Sequence, residues 1–161
     1  MYCELTFNKA GDFTGGISGY STYKTFYFES GAGTYTDAPS GMFNSSQRGN
    51  CTVSRSVSKS LVSTTLPVDT FYEGGLAVDV GFTDDSFAIS IETHNWDEYR
   101  YITGLVKSNS GLESGIFKIG PTSSTIDQFH VAVKNLTCSF KPGAGFYCKI
   151  SLSLLVVNAT S

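Results

Sequence analysis

Residues Leu76 to Val106, LAVDVGFTDDSFAISIETHNWDEYRYITGLV, carry the pattern from which the fold class is read. Leu76, Val78, Val80 and Phe82 stand at alternate positions, and so do Phe87, Ile89 and Ile91. Side chains two apart leave the same face of a pleated backbone, so both runs read as half-buried strands. Thr83-Asp84-Asp85 between them reads as a hairpin turn, where Asp bonds its own backbone. After the polar bridge His94-Asn95-Trp96-Asp97, the run Tyr99 to Val106 is expected to continue the strands.

The flanking sequence repeats the alternation. Cys3, Leu5 and Phe7 share a face, as do Phe129, Val131 and Val133, and Phe146, Cys148, Ile150, Leu152 and Leu154. Tyr20 to Glu29 is rich in aromatic residues and Thr, the composition strands favour. A short strand is expected at Ile116 to Ile119. Cys51 to Leu61 also alternates, but Arg55 and Lys59 interrupt its apolar side, which suits an edge strand. Gly11 to Gly19 reads as a glycine-rich turn, and 31–50 as a long surface loop. About eight to ten strands follow, with turn signals at intervals typical of sandwiches. The expectation is an all-β, antiparallel two-sheet β-sandwich, jelly-roll-like, in a single domain spanning 1–161.

Composition narrows the partners. Charged residues make up 16% of the 161, against an ordinary level of about 25%. A net charge of −3 and a pI near 5.2 give no basic footprint for nucleic acid or an anionic membrane. The most apolar run, Leu152 to Val157, is too short to span a bilayer as a helix. The opening Met1-Tyr2-Cys3-Glu4 has neither a basic start nor an apolar leader, so no secretory signal is expected.

Four cysteines, Cys3, Cys51, Cys138 and Cys148, match no zinc or redox spacing. Cys138 and Cys148 flank Gly143 symmetrically, so a hairpin there would set them opposite each other. That geometry suits a disulfide, while two buried thiols packing as small hydrophobes is the other reading. Cys3 with Cys51 would be a second bridge or a further pair of thiols. Asn44, Asn50, Asn135 and Asn158 each open an Asn-x-Ser/Thr triplet, the glycan acceptor pattern that Ser/Thr-rich chains also generate by chance.

The densest group of interaction-prone side chains is His94, Asn95, Trp96, Asp97, Glu98, Tyr99, Arg100 and Tyr101. Flat rings with polar tips beside charges that fix orientation suit receptor or carbohydrate recognition. The plainer reading is a loop whose Trp96 caps the core. His94 and His130 lack a nucleophile elbow, and Glu92, Asp97 and Glu98 have no readable glycosidase geometry, so a non-enzyme without cofactor or metal is expected. Asp84-Asp85 as a calcium site yields to the turn reading.

The function expected first is a virion surface or structural protein: a capsid decoration protein or the receptor-binding head of a tail fibre. Its partners would be identical subunits, other virion proteins, and a host-surface glycan or protein receptor. The alternative is a secreted, extracellular lectin-like module holding a sugar at 94–101. Neither reading involves nucleic acid or membrane insertion.

Overall fold

The computed structural model describes residues 1–11, 24–28, 48–65, 77–109, 111, 114–143 and 145–160, with 60–65, 77–83 and 158–160 given by backbone alone. The expected 11–19 turn after Gly11, half of 20–29, Asn44 and nearly all of the 31–50 loop lie outside these residues. The elements in chain order are β1 (Tyr2–Phe7), β2 (Thr25–Tyr27), β3 (Arg48–Thr65), β4 (Ala77–Thr93), α1 (Trp96–Ser108), β5 (Gly115–Thr122), β6 (Thr125–Phe140) and β7 (Cys148–Thr160).

The protein is mostly β. Its seven described strands form a single antiparallel sheet, ordered β2-β1-β5-β6-β7-β4-β3 and not closed. One sheet face carries the core: Cys3, Leu5, Phe7, Phe26, Phe87, Ile89, Ile91, Phe117, Val131, Cys148, Ile150, Leu152 and Leu154 are all buried on it. The alternation therefore located the inward face of β1, of the second half of β4, and of β7. β3 lies at the sheet edge, as its inward charges foretold. The sheet curls strongly. The Arg55 guanidinium on β3 lies 4.8 Å from the centre of the Phe129 ring on β6, three strands away, and 5.4 Å from that of Phe87. Close approach on the other flank needs a glycine: a Cβ on Gly115 would sit 2.3 Å from the Thr6 carbonyl oxygen, so a side chain there would push β1 from β5.

Three elements depart from the sequence expectation. Tyr99 to Val106 is helical, not extended. Asn95 caps α1, its side-chain oxygen accepting from the backbone N–H of Asp97 and Glu98 at 2.8 and 3.4 Å. Asp97 and Glu98 occupy the first turn and Lys107 the last, each favourable to the helix dipole. Glu98, Tyr101, Ile102 and Leu105 form a buried stripe at helical spacing, which seals α1 onto the sheet.

Second, Asp84-Asp85 is not a turn. β4 runs unbroken from Ala77 to Thr93, with Asp84 opposite Ser58 and Asp85 opposite Val57. β3 supplies a ladder partner throughout, and Arg55 neutralises Asp85 at 2.5 Å.

Third, Cys138 pairs with Ile150 and Phe140 with Cys148, so the β6–β7 hairpin is centred on residue 144, not 143. The two cysteines are thus diagonal neighbours, and all four cysteines are free thiols in this structure. Burial and the neighbouring Cys138 push the Cys148 thiol up to about 12, which leaves it without the thiolate character that makes a cysteine reactive.

The β3–β4 hairpin has two halves. Ser86 to Thr93 of β4 pairs with β3 on one side and β7 on the other. Beyond Ser86, β4 loses β7, whose residues after Leu155 pair with β6 alone. Among the described residues, 57–65 and 77–85 therefore pair only with each other, as a two-stranded arm.

Candidate functional site

α1 divides the eight residues singled out in the sequence. Tyr101 is fully buried and donates its hydroxyl to the Thr25 carbonyl at 2.6 Å. Glu98 is fully buried in an ion pair with Arg48, whose Nε and Nη2 lie 2.8 and 2.6 Å from the same carboxylate oxygen. Arg48 also donates to the Tyr27 carbonyl at 2.7 Å and lies over Phe26. One guanidinium on edge strand β3 thus holds edge strand β2 and α1 together. Burial drives the Glu98 carboxyl above its ordinary range, with Arg48 opposing. The second carboxylate oxygen has no hydrogen-bond partner among the described residues. The side chains of Tyr101 and Glu98 are both fully buried, which assigns them to the scaffold.

The remaining members lie at the surface. Trp96 is 50% exposed and packs against Tyr99 and Phe146, with ring centres 5.1 Å apart in each case. Tyr99 meets Phe140 edge-on at 5.1 Å, and Phe140 is 48% exposed. Exposed His94 has its Nδ1 3.0 Å from the Phe146 carbonyl and its ring tilted 60° against Tyr147, which Lys141 covers from 5.0 Å. Asp97 is exposed and Arg100 half-buried. The sequence missed Phe140, Phe146 and Tyr147, because only the β6–β7 hairpin brings them beside α1.

From this shelf a groove of about 650 Å³ runs between α1 and β6. Tyr99, Thr103, Val106 and Lys107 form the helical wall, and Val133, Lys134, Leu136 and Phe140 the other. The groove exists because β6 outruns β5. Pairing with β5 ends at Val131, and the Val133 N–H turns instead to the Ser114 hydroxyl at 3.1 Å. From Lys134 to Phe140 that flank of β6 has no strand partner among the described residues. No carboxylate is among the described residues lining the groove, although the chain as a whole is acidic.

The arm is the third feature. The ladder shows no irregularity from Cys51↔Ile91 to Thr65↔Ala77, so the alternation keeps its phase. Phe82 and Phe87 are five apart and fall on opposite faces. Val78, Val80 and Phe82, with Val62 opposite Val80, share the ribbon face continuous with the outer surface at Ala88 and Ser90. Apolar residues thus change sides where β4 leaves the sheet.

Among the possible glycan acceptors, Asn50 and Asn135 are exposed, and Asn135 donates to the Thr137 hydroxyl at 3.3 Å. The side chain of Asn158 lies outside the description. The described residues hold no group of three or more His, Cys, Asp or Glu positioned for a metal ion. No described helix is long and apolar enough to cross a membrane. Compared with known proteins, the chain matches no family model and no curated sequence.

Proposed function

We propose that this chain is a non-enzymatic structural subunit that self-assembles on a virion surface, as a capsid decoration protein or a fibre or tail-tip head. The β3–β4 arm is its joining element. The observation that carries this reading is the change of apolar face along β4. Phe87, Ile89 and Ile91 serve the chain's own core, whereas Val78, Val80 and Phe82 continue on the opposite face of an overhanging ribbon. A two-stranded ribbon alone is marginal in water, and strand edges without a ladder partner invite pairing. A partner surface accounts for both. We also keep a layered reading of the fold: the curled sheet's flanks act as the two walls of a sandwich-like, jelly-roll-like core, continuous through β6 and β7.

The test is light scattering with electron microscopy of the purified chain across concentration, followed by the same on Phe82→Asp. Assembly of the native chain into rings, filaments or lattices, abolished in the variant without loss of its circular dichroism, is the expected result. A native chain that stays monomeric at every concentration overturns the reading.

A second reading rests on the shelf. Trp96 and Phe140 present half-exposed rings beside Asp97 and Lys141, the combination used to stack and orient a sugar. Glycan-array binding lost on Trp96→Ala is its expected result, and identical array profiles would remove it.

A further inference from the structure

We propose that the arm of one copy docks in the α1–β6 groove of the next, adding as a strand to the free flank of β6. This inference rests on the assembly reading above and names the surface that receives the arm.

Three features of the groove match the arm. The first is backbone. Lys134 to Phe140 offer a strand flank without a ladder partner among the described residues, and residues 77–85 of β4 lack β7 on their outer side. Strand addition satisfies both sets of N–H and C=O groups, and it sends alternate side chains to one side. The second is polarity. Val106, Val133, Leu136 and Phe140 give the groove apolar surface, and Val78, Val80 and Phe82 are the alternate apolar positions of the arm. The third is charge. The groove has Lys107 and Lys134, both exposed, and no carboxylate among its described lining. The arm carries Asp79 and Asp84 against Lys59, its Asp85 being paired with Arg55, and the sequence joining its strands adds Asp69 and Glu73. Complementary charge of this kind speeds encounter and fixes register.

Topology requires the two partners to come from different copies. Through β7, the free part of β6 is level with Ala88 to Thr93 of β4: Asn135 pairs with Ser153, which pairs with Ala88, and Phe140 with Cys148, which pairs with Thr93. The arm leaves β4 past Ser86, level with Ala132 of β6, and runs away from the end that holds Phe140. Arm and groove thus face opposite ways, and their union is head-to-tail. Such contacts close reciprocally between two antiparallel copies, close into a larger ring or grow into a filament.

The closing experiment mixes two variants. Phe82→Asp disables the arm and leaves the groove intact. The double variant Lys107→Glu/Lys134→Glu reverses the groove and leaves the arm intact, and both lysines are exposed, so the fold survives. Each variant alone is expected to be monomeric at concentrations at least about tenfold above those at which the native chain assembles. Mixed one to one, they are expected to form a dimer and nothing larger, because one intact arm meets one intact groove. Far-ultraviolet circular dichroism and thermal unfolding confirm that each variant is folded before mixing. A Lys107→Glu/Lys134→Glu chain that assembles like the native one overturns the groove while leaving arm-driven assembly standing. A mixture that stays monomeric overturns head-to-tail docking in the same way. A native chain that never assembles removes this proposal together with the reading on which it rests.

Discussion

The two halves of the β3–β4 hairpin have the same ladder and similar residue types, yet they serve different surfaces. In the root, from Arg48 to Ser56 and from Ser86 to Thr93, the apolar side of β4 is sealed into the core by β7, Arg55 and α1. In the arm, the apolar side of β4 is the opposite one, and among the described residues only β3 pairs with it. A strand's period is two, so moving an apolar series by an odd number of positions transfers it to the other face. The five-residue step from Phe82 to Phe87 does this without a bulge. The difference teaches that one strand can be shared between a domain and its surroundings, with the division written in the parity of the sequence.

Substitutions in the two halves should separate stability from association. Phe87→Ala, in the root, is expected to destabilise the chain by about 3–5 kcal/mol in urea denaturation, since it empties a fully buried site against Phe117 and Phe129. Phe82→Ala, in the arm, should change the same midpoint by less than about 0.5 kcal/mol while lowering the assembled fraction. Equal losses of stability would erase the contrast.

Arg48→Met at the base of the root leaves Glu98 buried and unpaired, for an expected loss of about 3–5 kcal/mol. The double variant Arg48→Met/Glu98→Leu should return most of it, because a packed apolar pair replaces the ions without a desolvation cost. Denaturation of the singles and the double completes the cycle.

Asn95→Ala removes the α1 cap and is expected to cost about 1 kcal/mol by thermal unfolding, with the arm unaffected. Amide exchange offers a finer comparison: amides of 77–85 should exchange faster than those of 86–93 in dilute, unassembled protein, and the gap should narrow on assembly.

The smallest expected effect is in pH. Burial raises the Glu98 carboxyl in the folded chain, so between its unfolded and folded values the native state holds the extra proton. Stability from this group is therefore greatest at acidic pH and falls as pH rises through the raised value. Glu98→Gln should remove that part of the slope in denaturation series, and unchanged slopes would show that Arg48 keeps the carboxylate charged.

The legible parts of the fold were those set by local period. Cys3, Leu5 and Phe7, or Ile150, Leu152 and Leu154, announce their face through alternation alone. α1 was hidden because Tyr99, Tyr101, Ile102, Thr103 and Val106 are residue types that strands also favour. The capping signal, Asn95 with Glu98 three positions on, was present but outweighed by that composition. At the site, Asp97 was legible as a solvated charge, whereas Trp96, read most plainly as a cap on the core, is half exposed against Tyr99 and Phe146. The burial of Glu98 was not legible, since its partner Arg48 is fifty positions away and reaches it only after the sheet curls. The groove was still further from view: it depends on β6 outrunning β5, a matter of relative strand length that no single stretch of sequence states.

Arg48 also has a consequence for how such a chain can change. It pins the base of the hairpin to Tyr27 and Glu98, while past Ser86 β4 pairs with β3 alone among the described residues. Adding or removing two residues in each strand would move the tip by about 7 Å and leave every face assignment as it was. Adding one would swap the faces. The arm is in this sense a ruler graduated in pairs, and in the proposed assembly the spacing between neighbouring copies would be a length adjustable without redesigning the domain that carries it.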